Sequence, residues 1–221
     1  MSDPLNLHAI ARLVPHGARV LDLGCGDGAM LAHLQQHHGC TGYGVELDDS
    51  NVHACVQRGV NVIQLNLDEG LSLFADQSFD VVLQIDTLQH LRNAEVMLRE
   101  TVRVGRMGVV AFPNFGHWRV RWALLAGGRM PMTGSLPTPW YETQNIHLCT
   151  VGDFVDLCDA LNVEIEAAAA LAEGKPARSI DPRRFIENWR AETAIFLLSR
   201  QTPKDGSSPR QDRPARTDLF D

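Results

Sequence analysis

The sequence lacks any apolar run that approaches the roughly 20 residues of a transmembrane helix. It also lacks the basic head of a secretory signal peptide, because its first residues include an acid and a proline. Its five cysteines are odd in number and form no Cys-x-x-Cys pair, which indicates buried, reduced thiols rather than disulfides or a zinc site. We therefore expect a cytoplasmic protein that neither crosses a membrane nor holds a metal.

An excess of basic residues is missing as well. The formal net charge is −7 and the pI is near 5.7, which disfavours binding to nucleic acid or to an anionic membrane. Apolar residues make up 44% of the 221 residues, enough for one buried core. The composition predicts a single domain over residues 1–200. The tail at 201–221 is rich in proline, serine and charge, and we expect it to be disordered.

Short apolar strands alternate with short helices along most of the chain. Strands are predicted at 19–23, 41–47, 60–67, 79–85, 109–112, 163–170 and 194–198. Helices are predicted at 5–14, 29–38, 50–59, 93–104 and 150–161, the last three with N-caps at Ser50, Asn93 and Thr150. Such alternation indicates βαβ units. The pattern predicts a seven-stranded, mostly parallel, doubly wound α/β sandwich of the Rossmann-like type.

The alternation breaks between Phe115 and Cys149. This segment, called the insertion below, holds a basic set and five large aromatic residues: His117, Arg119, Arg121 and Arg129 with Phe115, Trp118, Trp122, Trp140 and Tyr141. A structureless loop of this length inside a compact domain is usually functional. Three interpretations are open, namely a substrate lid, a partner surface and a second small core.

The strongest local pattern is VLDLGCGDG at residues 20–28, which places glycines directly after a buried strand. Such glycines let the backbone approach a ligand closely and turn sharply into a helix. With Ala29 the segment also satisfies a dinucleotide pattern, so the glycines alone leave a nicotinamide-dependent reductase open. Asp22 argues against that alternative, because a carboxylate at the strand end would repel a pyrophosphate but could face an ammonium group.

Two further acids follow the next two predicted strands. Glu46 ends the second strand, where an acid can accept hydrogen bonds from both ribose hydroxyls. Asp68 ends the third strand, where a carboxylate can accept a proton from an adenine amino group. Acids at three successive strand ends, with Asp22 the first, outline an amino acid, a ribose and a base. The sequence therefore predicts a site for S-adenosylmethionine or a related nucleoside.

These residues resemble the motifs of the class I S-adenosylmethionine-dependent methyltransferases. VLDLGCGDG is similar to their first motif, GYGVELD at 42–48 to their ribose-binding segment, and LNLDEGLSLFADQSFDVV at 65–82 to their adenine-binding segment. The resemblance implies that the last two strands form an antiparallel hairpin. It implies S-adenosylmethionine or S-adenosylhomocysteine as the cofactor. The contacts it implies are at Asp22, Gly24, Cys25, Gly26, Gly28, Glu46, Leu47, Asp68 and Gln84.

A narrower resemblance covers about residues 18–165. FPNFGHWRVRWALLAGGRMPMTGSLPTPWYETQNIHLCT at 112–150 resembles the signature of the MetW family of methionine-biosynthesis proteins. This family implies a role beside a homoserine O-acyltransferase of the MetX type, which needs its MetW partner for full activity. The resemblance thus implies an accessory, activating subunit.

No residue is singled out as a general base. Methyl transfer from a sulfonium is an in-line displacement, and a base is needed only if the acceptor must lose a proton. The candidates near the expected pocket are Asp86, His90, His117, Tyr141 and His147. Two hypotheses remain: an accessory subunit of homoserine acylation, and an independent methyltransferase for a small acceptor that uses the insertion as its lid.

Overall fold

The computed structural model describes residues 4–172 and 175–201, so nearly all of the expected disordered tail lies outside the described residues. Within these ranges a single sheet contains eight strands: β1 (Arg19–Leu23), β2 (Thr41–Glu46), β3 (Val62–Gln64), β4 (Phe79–Ile85), β5 (Gly105–Pro113), β6 (Val163–Leu171), β7 (Arg178–Ser179) and β8 (Thr193–Arg200). The helices are α1 (Pro4–Ala11), α2 (Ala29–His38), α3 (Asp49–Gln57), α4 (Ala94–Val104), α5 (Trp118–Gly127), α6 (Val151–Leu161) and α7 (Phe185–Arg190). Within the described ranges, no helix combines the length and the apolarity needed to cross a bilayer.

The strand order is β3-β2-β1-β4-β5-β8-β6-β7. The first five strands of this order are parallel, and β8 runs antiparallel to both β5 and β6. The chain moves outward from β1 to β3 and then returns to the other side of β1 at β4. Ligands of such sheets bind at this switch point, outside the carboxyl ends of the strands. The prediction of a mostly parallel α/β sheet with an antiparallel pair at its end is confirmed.

The predicted number of strands, seven, is wrong by one. The additional strand, β7, is two residues long and pairs with the outer edge of β6, where Ala169 faces Ser179. The Ile180 N–H extends this pairing by donating to the Ala168 carbonyl at 2.9 Å. The polar loop after β6 thus returns along an edge whose backbone groups would otherwise be unpaired.

The central strands are buried on both faces of the sheet. In β1, Val20 packs with α1 and α2 on one face, whereas Leu21 and Leu23 pack on the other face with Met97 of α4. Because successive side chains of a strand point to opposite faces, a strand covered on both sides must be apolar throughout. This explains why the observed bounds of β1 and β4 equal the predicted ones.

The third strand is shorter than the prediction of 60–67. After Gln64 the chain forms a 3₁₀ turn at Leu67–Glu69, in which the Asn66 side chain accepts the Asp68 N–H at 3.1 Å. The N-cap of α3 is also different from the expected Ser50. Asp48 holds that position, and its carboxylate accepts the Asn51 N–H at 3.1 Å.

The insertion is not a structureless loop. Near its start lies α5, which has a single buried residue, Val120. This helix is capped at its C-terminus by Gly128, which has the left-handed conformation. The rest is irregular, but the two ends of the insertion are joined because the Phe115 N–H donates to the Cys149 carbonyl at 3.0 Å. The predicted capping box of α6 follows directly: Thr150 and Asp153 each accept the other's backbone N–H.

Candidate functional site

The glycine loop after β1 is shaped by its neighbours. Gly24 has a φ of +71°, and a Cβ there would lie 2.6 Å from the Thr87 Oγ1 atom. The Thr87 hydroxyl donates to the Leu23 carbonyl at 2.8 Å, so moving it away would break this buried hydrogen bond. Gly26, with a φ of +55°, has no atom near the position of its missing Cβ. The loop is therefore packed on the β4 side and open at Gly26, where a ligand can approach the backbone.

Glu46 fixes this loop from the end of β2. Its Oε2 atom accepts the Gly26 N–H at 2.8 Å, and its Oε1 atom accepts the N–H groups of Leu47 at 2.8 Å and Asp48 at 3.0 Å. A carboxylate has about four lone-pair sites, so at least one acceptor site remains for a ligand hydroxyl. The Leu47 side chain is 59% exposed, so its backbone is the part of this residue that belongs to the loop.

Asp22 lies at the carboxyl end of β1 and is only 3% exposed. Burial, with a smaller contribution from the negative charge of Glu46, raises the pKa of Asp22 to about 7. At neutral pH the Asp22 carboxyl group is therefore protonated in a substantial fraction of the molecules. A cationic group placed against it would favour the ionised form and release that proton. The expected role of Asp22 opposite an ammonium group is consistent with this environment.

Asp68 lies in the 3₁₀ turn after β3, not at the end of the strand. Its Oδ1 atom accepts the Arg92 N–H at 2.9 Å, which joins this turn to the chain just before α4. The carboxylate is half-buried at the same edge of the sheet as Glu46. Asp22 and Glu46 therefore lie at the carboxyl ends of β1 and β2, and Asp68 lies in the turn that follows β3.

The structure does not bring Gln84 to this edge. Its side chain is fully buried, and its Nε2 atom donates to the Thr101 Oγ1 atom of α4 at 2.5 Å. Gln84 shares the α4 face of β4 with Val82 because residues two apart in a strand point the same way. The residues that reach the edge are the next ones along the chain, Asp86 and Thr87.

Cys25 and Cys55 pack beneath the glycine loop with their sulfur atoms 3.7 Å apart. The Cys55 thiol donates to the Gly26 carbonyl at 3.2 Å. Burial raises the pKa of both thiols, so they remain protonated at neutral pH. Gly28 is required here, because a Cβ would lie 2.9 Å from the Cys55 sulfur. Cys25 and Gly28 thus shape the loop from behind.

A cavity of about 620 Å³ lies beside this site, at the ends of β4, β5 and β6. Two of the candidate bases, Asp86 and His90, are in its wall. His117 is buried, which lowers its pKa, and Tyr141 is exposed on the insertion. The His147 ring lies 3.4 Å from the Arg92 carbonyl, in the wall of a second cavity. Of the five candidate bases, Asp86 and His90 are the two that line the cavity at the ends of β4, β5 and β6.

Known proteins similar to this chain include methionine-biosynthesis proteins and methyltransferases. The profile of the family described as "Methionine biosynthesis protein MetW" matches residues 5–198. The bifunctional methionine biosynthesis protein MetXA/MetW of Rhodopirellula baltica is 35% identical over 87% of this chain and 32% of its own length. The norajmaline N-methyltransferase of Rauvolfia serpentina is 30% identical over 44% of this chain and 36% of its own length. The chain thus spans about a third of the length of these curated relatives.

Solved structures share the fold at low identity. A SAM-dependent methyltransferase from Thermotoga maritima has a TM-score of 0.65 and 18% identity, over 88% of this chain and 87% of its own. An S-adenosylmethionine-dependent methyltransferase from Mesorhizobium loti has a TM-score of 0.65 and 18% identity, over 89% and 98%. The fold is therefore that of the class I methyltransferases. Since the family profile covers most of its length, the chain belongs to the MetW family of methionine biosynthesis proteins.

Proposed function

We propose that this protein binds S-adenosylmethionine or S-adenosylhomocysteine at the glycine loop and activates a homoserine O-acyltransferase of the MetX type in methionine biosynthesis. The observation that carries the partner is the relative from Rhodopirellula baltica, whose name joins MetXA and MetW in one bifunctional protein. Fusion holds two parts at a high effective concentration. A separate MetW chain must instead recognise its partner through a surface.

The nucleoside part of the proposal is supported by the site geometry. Glu46 keeps an acceptor free beside Gly26, whose backbone is open to a ligand. Asp22 lies at the end of β1 with a raised pKa that a cation would lower again. Together these residues suit a ligand with ribose hydroxyls and an ammonium group, as expected from the sequence.

The partner surface that we propose consists of the outer faces of α5 and α7. Trp122 is 63% exposed and Leu125 is 82% exposed on α5, and Phe185 is 71% exposed on α7. The Arg121 guanidinium lies over the rings of Phe185 and Trp189, at 5.8 and 5.6 Å from their centroids. Exposed apolar groups of this kind mark interaction sites, and Trp and Arg are the usual anchors.

Within the insertion, some side chains hold α5 in place and others are exposed for contact with a partner. The Arg121 Nε atom donates to the Gly116 carbonyl at 2.6 Å, so this side chain holds α5 against α7. Trp122 and Leu125 face solvent instead. A test of the surface should therefore change Trp122 and Leu125 and leave Arg121 in place.

The experiment mixes the purified protein with the homoserine O-acyltransferase of the same organism and follows homoserine acylation. The wild-type chain should stimulate acylation and co-purify with the enzyme. The double variant Trp122→Ser, Leu125→Ser should lose at least tenfold in apparent affinity, since each anchor contributes on the order of 2 kcal/mol. Leu73→Ser is the matched control, because Leu73 is an equally exposed apolar residue outside both helices.

The outcomes separate the parts of the proposal. Acylation that does not respond to the wild-type chain would contradict the partner function as a whole. Stimulation that survives the double variant would leave the partner and reject the surface.

A second candidate function, methyl transfer to a small acceptor, is favoured by the cavity beside the glycine loop. Its volume of about 620 Å³ lies within the range of small-molecule sites, about 300–1,000 Å³. Asp86 and His90 in its wall could accept a proton from an acceptor. Release of S-adenosylhomocysteine from S-adenosylmethionine in the presence of a small acceptor would make this function the leading one.

A further inference from the structure

The outer faces of α5 and α7 carry basic groups that no acid neutralises among the described residues. Arg119 on α5 is exposed, and so are Arg184 and Arg190, which lie at the two ends of α7. None of these three guanidinium groups forms an ion pair with a carboxylate of the described chain. Arg119 instead lies over the ring of its neighbour Trp118, at 5.5 Å from the centroid. The three charges are therefore accessible to a partner.

Exposed arginines at several other places on the surface are paired. These arginines and their carboxylate partners are Arg58 with Asp27, Arg99 with Glu95, Arg106 with Asp80 and Arg183 with Asp159. Surface pairs of this kind add little to stability, but they show which parts of the surface contain both signs of charge. No described acid lies within ion-pair distance of Arg119, Arg184 or Arg190, so the outer faces of α5 and α7 differ from those places.

Exposed acids are missing from the two helices themselves. Helix α5 contains neither aspartate nor glutamate. Helix α7 contains one acid, Glu187, which is 7% exposed and accepts a hydrogen bond from the Arg178 guanidinium at 3.3 Å. Asp181, in the loop before α7, accepts the Arg183 N–H at 3.1 Å. The outer faces of α5 and α7 are therefore locally positive on a chain whose formal net charge is −7.

The positive charges flank the apolar anchors. Arg119 and Trp122 are three residues apart on α5 and are therefore neighbours on the helix surface, as are Trp122 and Leu125. Arg184 directly precedes Phe185, and the Arg121 guanidinium that lies over the Phe185 ring joins α7 to α5. Interfaces commonly combine an apolar centre with a polar rim. The exposed residues that form the docking face are Arg119, Trp122, Leu125, Arg184 and Phe185.

We infer that the acyltransferase presents an acidic surface to this docking face, with aspartate or glutamate side chains opposite Arg119 and Arg184 around an apolar site for Trp122 and Leu125. The inference rests on the proposed function, since it describes the partner's side of the same complex. The negative charge of the rest of the chain would repel that acidic surface, so the two proteins approach each other through α5 and α7. Charges at the rim of an interface chiefly raise the association rate, whereas apolar anchors chiefly lower the dissociation rate.

The test measures association and dissociation rates of the full chain with the homoserine O-acyltransferase of the same organism. Stopped-flow fluorescence with a labelled acyltransferase follows both rates in solution. The ionic strength is varied from about 0.03 to about 0.5 M, over which the screening length shortens severalfold. The association rate of the wild-type chain should fall by about tenfold or more over this range, whereas the dissociation rate should change by less than about threefold.

Charge reversal connects the salt dependence to the docking face. The double variant Arg119→Glu, Arg184→Glu should associate about tenfold more slowly at low ionic strength and lose most of the salt dependence. The control is the double variant Arg99→Glu, Arg106→Glu, which changes the net charge equally at side chains that are 55% and 67% exposed outside both helices. It should keep most of the wild-type association rate. Melting curves show whether each variant is folded.

The outcomes distinguish this inference from the proposed function. A complex whose association rate is independent of salt, or is slowed equally by both double variants, would overturn the acidic partner surface and leave the activating role in place. A wild-type chain that forms no complex with the acyltransferase would overturn both. Binding of a DNA duplex that competes with the acyltransferase and is lost in Arg119→Glu, Arg184→Glu would also overturn the inference, because the basic groups would then serve a nucleic acid.

Discussion

The β1–β3 region and the insertion differ in what determines their structure. In β1–β3, one carboxylate, Glu46, holds Gly26, Leu47 and Asp48 through their backbone N–H groups, so a few neighbouring residues fix the site. The insertion has α5 with one buried residue and a long irregular segment tied down at its ends. The first region is compact and held by its own hydrogen bonds, and the second presents side chains outward. The comparison suggests that binding of a nucleoside and binding of a partner are carried by different parts of the chain.

The largest effect is expected from Glu46→Ala, which tests whether the β1–β3 region alone carries the nucleoside affinity. On the proposed binding mode the variant loses a ribose hydroxyl bond to a charged acceptor, worth on the order of 1.5–3 kcal/mol, and it also loses the three N–H bonds that shape the loop. S-adenosylhomocysteine affinity should fall by at least tenfold in a calorimetric titration. Binding of the acyltransferase in the absence of nucleoside should not change. NADH binding in place of both sulfur nucleosides would show that the ligand assignment is wrong.

A second variant, Asp22→Asn, tests the β1–β3 region through the pH dependence of the free energy of unfolding. The folded pKa of Asp22 is about 7, above its value of 3.8 in the unfolded chain, so the native state binds more protons between these values. Its ionisation therefore destabilises the ligand-free fold progressively as pH rises from about 4 to about 7.

Asparagine removes this penalty. Relative to the wild type, Asp22→Asn should be more stable at pH 8 by up to about 4 kcal/mol and nearly equal at pH 4. Urea unfolding at both pH values measures the difference. Asp27→Asn is the control, since Asp27 is an exposed acid of the same loop. An equal effect of Asp22→Asn at both pH values would contradict the raised pKa.

A smaller effect is expected at the contact between α5 and α7. Arg121→Ala removes the hydrogen bond to the Gly116 carbonyl and the contacts with two aromatic rings, which together are worth about 1–2 kcal/mol. The melting temperature should fall by a few degrees, whereas S-adenosylhomocysteine affinity should stay within error. Arg119→Ala is the matched control on the same helix. A comparable loss of nucleoside affinity would show that the two regions are coupled.

The smallest effect is expected from the tail. Deleting residues 201–221 should leave the melting temperature within error, because this segment has too little apolar content to join a core. Differential scanning fluorimetry of the truncated chain measures this. A drop of several degrees would show that the tail contributes to the fold.

The local sequence was sufficient where the structure is decided locally. The bounds of β1 and β4 agree with the prediction because these strands are buried on both faces and are therefore apolar throughout. The bounds of α2 agree because a glycine lies at each end of the helix. The capping box at Thr150 and Asp153 is likewise a local pattern.

The sequence was not sufficient where distant contacts decide. Helix α5 escaped prediction because only Val120 is buried, so its residues show no apolar face. The edge strand β7 exists only because β6 is beside it. Gln84 could have been placed from strand alternation, since it shares a face with Val82, but the family resemblance suggested a contact with the ligand instead. The cavity could not be predicted without the folded chain, because residues as distant in sequence as Asp86 and Glu192 line it.

The shared carbonyl of Gln89 has a kinetic consequence. The N–H groups of Ile146 and His147 both donate to the Gln89 carbonyl oxygen, so a movement of this carbonyl away from the segment opens both hydrogen bonds at once. Their amide hydrogens should therefore exchange with deuterium at a common rate, set by one cooperative opening of the segment. A ligand in the neighbouring cavity would slow the exchange of both amides together. The exchange rate of this pair therefore reports how often this part of the insertion opens.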